Sequence, residues 1–262
     1  MITLDETNRK IDHILFIGDT HGENINIPHH IEKQTHIPQQ DKKALIHVGD
    51  FGVGFKEDLE EEYWAIDKLN TKLIQHNTIM YVVRGNHDDP NWFTKGVLDQ
   101  SVNTNIKFLP DHTVLEFQRM GQDKRTKIYC NGGSISIDRS NRTEGRSYWK
   151  AEGFKELTPE QLLEIPTDLD CIVTHNRPLG LHPTVYNSSV LRWCVQDDQL
   201  DHDLKEEQLS LKKMFDSIRE RNNSRNNIVH YFGHYHWSHK ERIGDIAHIT
   251  LGMHEVAEFR EY

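Results

Sequence analysis

The stretch VVRGNHDDP, residues 82–90, runs two β-branched residues straight into an arginine, a glycine, an amide, an imidazole and two carboxylates before closing on proline. With TIMY before them, Val82 and Val83 read as the end of a buried strand. A group such as Asn86-His87-Asp88 is costly to bury unless something neutralises it. The same arrangement recurs along the chain. HILFIGDTHG, ALIHVGDFG, TKIYCNGGSISI, DCIVTHNRP, NIVHYFGHYHW and IAHITLGM are strand-length apolar runs bounded by Gly, Asn or Asp. Their near-continuous hydrophobicity is that of strands covered on both faces, as in α/β sheets. VLEF (114–117) and VAEF (256–259) read as further strands.

Between these runs the period changes. Phe55, Leu59, Tyr63, Ile66, Leu69 and Leu73 recur at spacings of three and four and predict an amphipathic helix over roughly residues 56–76. Its charge run KEDLEEE is expected to be the solvated face, with acidic residues at the N-terminus. Leu204, Leu211, Met214, Phe215 and Ile218 predict a second helix, and LTPEQLLEI (157–165) a short one with Thr158 as cap and Pro159 in first position. Asp89 is placed to cap a helix begun by Pro90. No repeat or low-complexity linker interrupts the chain, so residues 1–262 are read as one domain. An irregular loop insertion is expected at 176–205, carrying Tyr186, Arg192 and Trp193.

Composition bounds the function. With 35% hydrophobic and 27% charged residues the 262-residue chain has the balance of a globular protein with a full core. No apolar run approaches the roughly 18 residues of a membrane span, and MITLDETNRKIDH has no signal-peptide stretch, so cytoplasmic residence is expected. Cys130, Cys171 and Cys194 lack metal-type spacing and are expected to be thiols; the sequons at Asn141, Asn187 and Asn222 then carry no meaning. A net charge of −10 disfavours general nucleic-acid binding, although bound metal ions could reverse the field locally.

The informative pattern is where the runs end: Asp19 and His21, Asp50, Asn86 and His87, His175, then His234 and His236. Strands of an α/β sheet deliver their C-terminal residues to a common edge, where ligands bind. At i and i+2, Asp19/His21 and His234/His236 could each grip from one side while the backbone stays extended. Mixed imidazole and carboxylate ligands suit Zn²⁺, Mn²⁺, Fe²⁺ or Ni²⁺, and the lack of thiolates disfavours a structural zinc site. Two such ions about 3.5–4 Å apart can clamp a phosphoryl group and activate water. An aspartate can bridge both, and an asparagine carbonyl is a neutral ligand.

GDTHG, GDFG, RGNHD, TH and GHYH, in that order over residues 18–236, resemble the calcineurin-like metallophosphoesterase superfamily. The segment GGSISIDRSNRTEGRSYW (132–149) is similar to one found in its stand-alone bacterial and phage members. The resemblance implies an α/β fold of two mixed β-sheets packed face to face and flanked by helices, a four-layer sandwich. It implies two divalent metal ions, manganese first and iron, zinc or nickel as alternatives. Asp19, His21 and His236 would hold one, Asn86, His175 and His234 the other, and Asp50 would bridge them. His87 would protonate the leaving oxygen, Arg84 contact phosphate and Asp88 orient His87. Arg139 or Arg142 could touch substrate, although pairing with Asp138 explains either charge equally well.

The implied function is hydrolysis of a small phosphate ester, a phosphodiester or phosphomonoester, with cyclic nucleotides among the candidates. The 176–205 loop is expected to select the substrate. Protein phosphatases of the superfamily carry a longer GDxVDRG motif; GDFGVGFKED has no arginine soon after Asp50, which disfavours that activity and diadenosine-polyphosphate hydrolysis. A non-catalytic scaffold would be expected to lose ligands or the proton donor, and all of them are present. The other histidines, Trp149 and Trp193 are expected to be packing or surface residues.

Overall fold

Each apolar run has two faces, and the fold buries both. In the computed structural model, which describes residues 1–56, 58–94, 104–183, 188–221 and 227–260, Ile14 and Phe16 of one strand face a core different from that of Leu15 and Ile17. Tyr186, Asn187 and Asn222 lie outside the described residues. The strands are β1 (Ile2–Asp5), β2 (His13–Ile17), β3 (Lys43–His47), β4 (Thr78–Val82), β5 (Ile106–Phe108) and β6 (Thr113–Gln118). They continue with β7 (Arg125–Asn131), β8 (Cys171–Thr174), β9 (Ile228–Phe232), β10 (His239–Ile243), β11 (Ile246–Thr250) and β12 (Val256–Glu258). Helices are α1 (Ile27–Glu32), α2 (Leu59–Gln75), α3 (Pro159–Glu164), α4 (Ser188–Gln196) and α5 (Leu200–Arg221).

Two mixed sheets result, ordered β12-β2-β3-β4-β5 and β1-β6-β7-β8-β9-β11-β10. Their facing sides share one core, in which Phe16, Ile46 and Tyr81 of the smaller sheet meet Phe117, Ile128, Val173 and Tyr231 of the larger. The outer face of the smaller sheet packs Leu15, Leu45 and Met80 under α1 and α2. That of the larger packs Tyr129, Ile172 and Ile228 under Leu211, Met214, Phe215 and Ile218 of α5. The expected four layers are therefore present. β2, β3, β4 and β5 run parallel, as do β7, β8, β9 and β11, so both sheets point strand ends to one edge.

Three elements differ from expectation. α2 starts at Leu59, where the Asp58 side chain accepts from the Glu60 N–H at 2.8 Å, and its Leu59 and Tyr63 are exposed. The run before it is not wholly solvated either: Glu62 is buried and accepts from the N–H groups of Gly54 and Lys56. Residues 176–205 are more regular than predicted, because α4 and the first turn of α5 lie there. None of the α4 residues is fully buried, so the sequence carries no core stripe to announce it. The short helices match: Thr158 makes a capping box with Gln161, and Asp89 accepts from Asn91 at the turn begun by Pro90. No helix of the described residues is long and apolar enough to cross a membrane.

Candidate metal centre

The edge where the parallel strands end gathers the polar groups. Asp19 and His21 follow β2, Asp50 follows β3, Asn86 follows β4, His175 directly follows β8, and His234 and His236 follow β9. His21, Asp50, His234 and His236 have left-handed backbone, with φ of 46°, 56°, 69° and 56°. Such φ is costly for residues with a Cβ and persists where surrounding structure enforces it. These turns, not strand alternation, aim the side chains. His234 and His236 consequently go to different groups, the division the resemblance implied, rather than sharing one grip as i, i+2 alternation alone would suggest.

Asp19, His21, Asp50 and His236 bring one ligand atom each within 4.8 Å of one another, and so do Asp50, His175 and His234. Asp50 belongs to both groups, with Oδ2 3.7 Å from His21 Nε2 and Oδ1 3.1 Å from His175 Nε2. His21 and His236 turn their Nε2 atoms together at 2.9 Å. Asn86 Oδ1 lies 3.1 Å from His175 Nε2 and 2.9 Å from His234 Nδ1, while its amide nitrogen donates to Ser136 Oγ. That bond fixes which end of the amide faces the cluster.

These residues fit a cation. Asp19 Oδ1 is buried with no hydrogen-bond partner, a costly position for a carboxylate oxygen unless a positive charge completes it. His175 Nδ1 sits 3.0 Å from the carbonyl of Val48, which aims Nε2 into the cluster. Burial opposes a charge on His175, yet the Asp50 carboxylate and its hydrogen bond prevail and push its pKa up to about 9. Burial likewise opposes the charge on Asp50, and His175, followed by His87 and His21, nevertheless holds it well below the usual carboxylate range. Glycine is required beside both carboxylates: a Cβ on Gly85 would stand 2.1 Å from Asp50 Oδ1, and one on Gly233 2.0 Å from Asp19 Oδ1.

The residues expected to act on substrate separate. His87 lies at the cluster, its backbone N–H bonded to Asp50 Oδ1 at 2.8 Å and its Nε2 3.1 Å from Arg142. Burial lowers its pKa to about 4, with the Arg142 charge adding to the effect and Asp50 opposing it. Arg84, expected to contact phosphate, does not line the cavity beside the cluster. Its guanidinium is buried and donates to the carbonyls of Ala151, Glu152 and Gly153 and to Asp111. Four acceptors on other loops use its donors, so it serves as a tie.

Asp88 does not orient the His87 ring. Its carboxylate accepts N–H groups from Gly85, Phe51, Gly52 and Val53 and staples the two motif loops together, and burial with the Asp50 charge pushes its pKa up to about 7. Arg139 pairs with Asp197 and Asp203 rather than Asp138. Asp138 pairs with Arg142 at 2.7 Å.

A cavity of about 320 Å³ opens beside the cluster. Arg142, Arg177, Asn176 and Tyr235 supply its polar wall, Ile137, Val190 and Leu204 its apolar one. Sequence reasoning missed Asn176, Arg177 and Tyr235 as wall residues, although the first two directly follow His175 and the third lies inside GHYH. Tyr235 donates to Asn176 Oδ1 at 2.6 Å and carries the Arg177 guanidinium over its ring at 5.3 Å. Of the histidines expected to pack, His47 is buried against Thr20, and His230 against His248 and Thr174. Trp149 is buried against Phe55, Trp193 is half-buried, and the three cysteines are free.

Two face-to-face mixed sheets with a carboxylate–imidazole cluster and a small cavity at their shared edge define a class of metal-dependent hydrolases. The chain belongs to the calcineurin-like phosphoesterase family, whose profile matches residues 13–238. It is accordingly a metal-dependent phosphoester hydrolase. Among solved structures, the phosphopantetheinyl hydrolase from Mycobacterium tuberculosis is similar at 13% identity and TM-score 0.50, over 95% of this chain and 96% of that one. A candidate 5'-nucleotidase from Staphylococcus aureus is similar at 17% identity and TM-score 0.54, over 94% of this chain and 50% of that one. At these identities the likeness is one of fold. None of the curated proteins matches the chain by sequence.

Proposed function

We propose that the cluster binds two divalent ions, manganese first among iron, zinc and nickel, and that the chain, as one domain, hydrolyses a small phosphodiester or phosphomonoester. Asp19, His21 and His236 would hold one ion and Asn86, His175 and His234 the other. The observation that carries this reading is the carboxylate of Asp50, common to both ligand groups. Ions so held lower the pKa of water and stabilise charge on phosphoryl oxygens.

The remaining roles fall to the chain's own side chains. Arg142 donates to His87 Nε2 in the free cavity. An entering phosphoryl group competes for that donor as a stronger, charged acceptor, which frees Nε2 to attend the ester oxygen. Arg142 thus takes the phosphate contact expected of Arg84. Released from Arg142 and beside the phosphate's negative charge, Nε2 takes up a proton from solvent, and His87 as candidate general acid passes that proton to the leaving oxygen. Arg177 and the apolar residues Ile137, Val190 and Leu204 line the same cavity, and the ester's organic group would rest against them. A cavity of about 320 Å³ suits a small ester.

The test is manganese-loaded protein assayed side by side on bis-p-nitrophenyl phosphate and p-nitrophenyl phosphate, before and after exhaustive chelation. Hydrolysis should vanish with the metal and return on reloading. Undiminished turnover after complete metal removal would overturn the proposal, and the ratio of the two rates assigns the ester class.

A further inference from the structure

A second group of metal-competent side chains stands at the far edge of the larger sheet. His239 and Glu241 alternate on the edge strand β10, so both leave the same face. His182 meets them from the segment that follows His175, with Nδ1 3.4 Å from Glu241 Oε2. His239 Nε2 lies 4.0 Å from Glu241 Oε1. One ligand atom from each of the three falls within 4.8 Å of the others. None of them belongs to the Asp50 cluster, and none lines the cavity.

The group is oriented by a backbone bond within it and by a ring beside it. The His182 backbone N–H donates to Glu241 Oε1 at 2.8 Å, which sets the carboxylate. The ring of Trp237 lies parallel to that of His239, 5.0 Å between centroids and 5° between planes. Two imidazoles and a carboxylate form a set that zinc accepts, with water completing the tetrahedron. The ligands are half-buried or exposed, so bringing an ion here costs little desolvation.

We propose that His182, His239 and Glu241 form a second, independent site for a zinc-type divalent ion. Such an ion clips the 177–183 segment to β10. Pro183, next to His182, lines the cavity, and its carbonyl accepts from Arg177 at 2.5 Å. The clip therefore holds the wall from which Arg177 reaches the cavity, and it acts by position rather than by chemistry.

The test is equilibrium dialysis of tag-free protein against Zn²⁺, counting bound metal in wild type, His239→Ala, Glu241→Gln and the control Lys240→Ala. His239→Ala and Glu241→Gln should each bind one equivalent fewer than wild type, at unchanged far-UV circular dichroism, and Lys240→Ala should keep the full count. Equal counts in wild type and the ligand variants, whatever the number, overturn the site; so does the same loss in Lys240→Ala. Zinc bound only as a single equivalent that both ligand variants lose upholds this site and counts against the Asp50 cluster, so the two readings fail separately.

Discussion

Gly233 carries no side chain because the carboxylate of Asp19 occupies the place one would take. Substituting Gly233→Ala should push that carboxylate out of the cluster. The expected results are loss of tightly bound metal, read by elemental analysis, and a stability loss of about 1–3 kcal/mol from overpacking. The two arginines give a sharper contrast. Arg142→Ala should leave the fold intact and raise KM for phosphate esters, because its guanidinium lines the cavity and bonds only part of its donors within the loop. Arg84→Ala leaves buried carbonyls and Asp111 without their donor, and should cost about 3 kcal/mol or more in urea unfolding. His87→Ala should retain metal and lower turnover by about 10²-fold; equal turnover would remove it from the mechanism.

At the scale of elements, α5 does more than cover the larger sheet. The helix face that buries Leu211, Met214, Phe215 and Ile218 also turns Glu207 inward. Its carboxylate accepts from Ile135 N–H, Phe154 N–H, Ser134 Oγ and the Asn176 side-chain amide. Ser134 in turn lies 3.3 Å from His234 Nε2, so one residue of a helix braces the loop behind the cluster. Glu207→Ala should therefore destabilise by about 3 kcal/mol or more and weaken metal binding together. Glu207→Gln should do both less, because one oxygen still accepts; a metal affinity unchanged in both variants would confine Glu207 to packing. At α3 the capping box predicts a loss of about 1 kcal/mol for Thr158→Ala, with metal content unchanged.

At the scale of the molecule, burial of neutral histidines couples stability to acid. His248, packed against His230, has its pKa lowered by burial to about 4. The unfolded chain binds its proton at 6.5, so below that pH protonation favours unfolding. The contribution is complete above 6.5 and is lost as pH falls towards 4, with a slope of about 1.4 kcal/mol per pH unit. Asp88 and Glu152, both pushed up to about 7 by burial, slope the other way over part of this window. The comparison must therefore be between two proteins. His248→Asn should be less acid-sensitive than wild type in urea unfolding of the metal-free chain at pH 7, 6 and 5. Identical pH dependence would count against a neutral buried His248.

Much of this was legible in the sequence. Strand-length apolar runs, the caps of α3 and of the Pro90 turn, and the order of the five motifs are local properties. The direction of a parallel strand dictates which of its ends reaches the ligand edge, so the polar residues at each C-terminal end could be named beforehand. Their sorting followed only from the family resemblance, and the backbone turns that achieve it were not legible. His234 and His236 diverge because left-handed backbone turns the chain between them. Arg142 reaches His87 across 55 residues while Arg84, three positions away, is drawn to the 151–153 carbonyls. His182 finds Glu241 across 59 residues and belongs to no motif. Residue type and strand polarity determined the chemistry that collects at the edge. The tertiary structure alone decided which side chains touch, because the direction of a side chain beyond a strand end depends on partners that the local sequence does not contain.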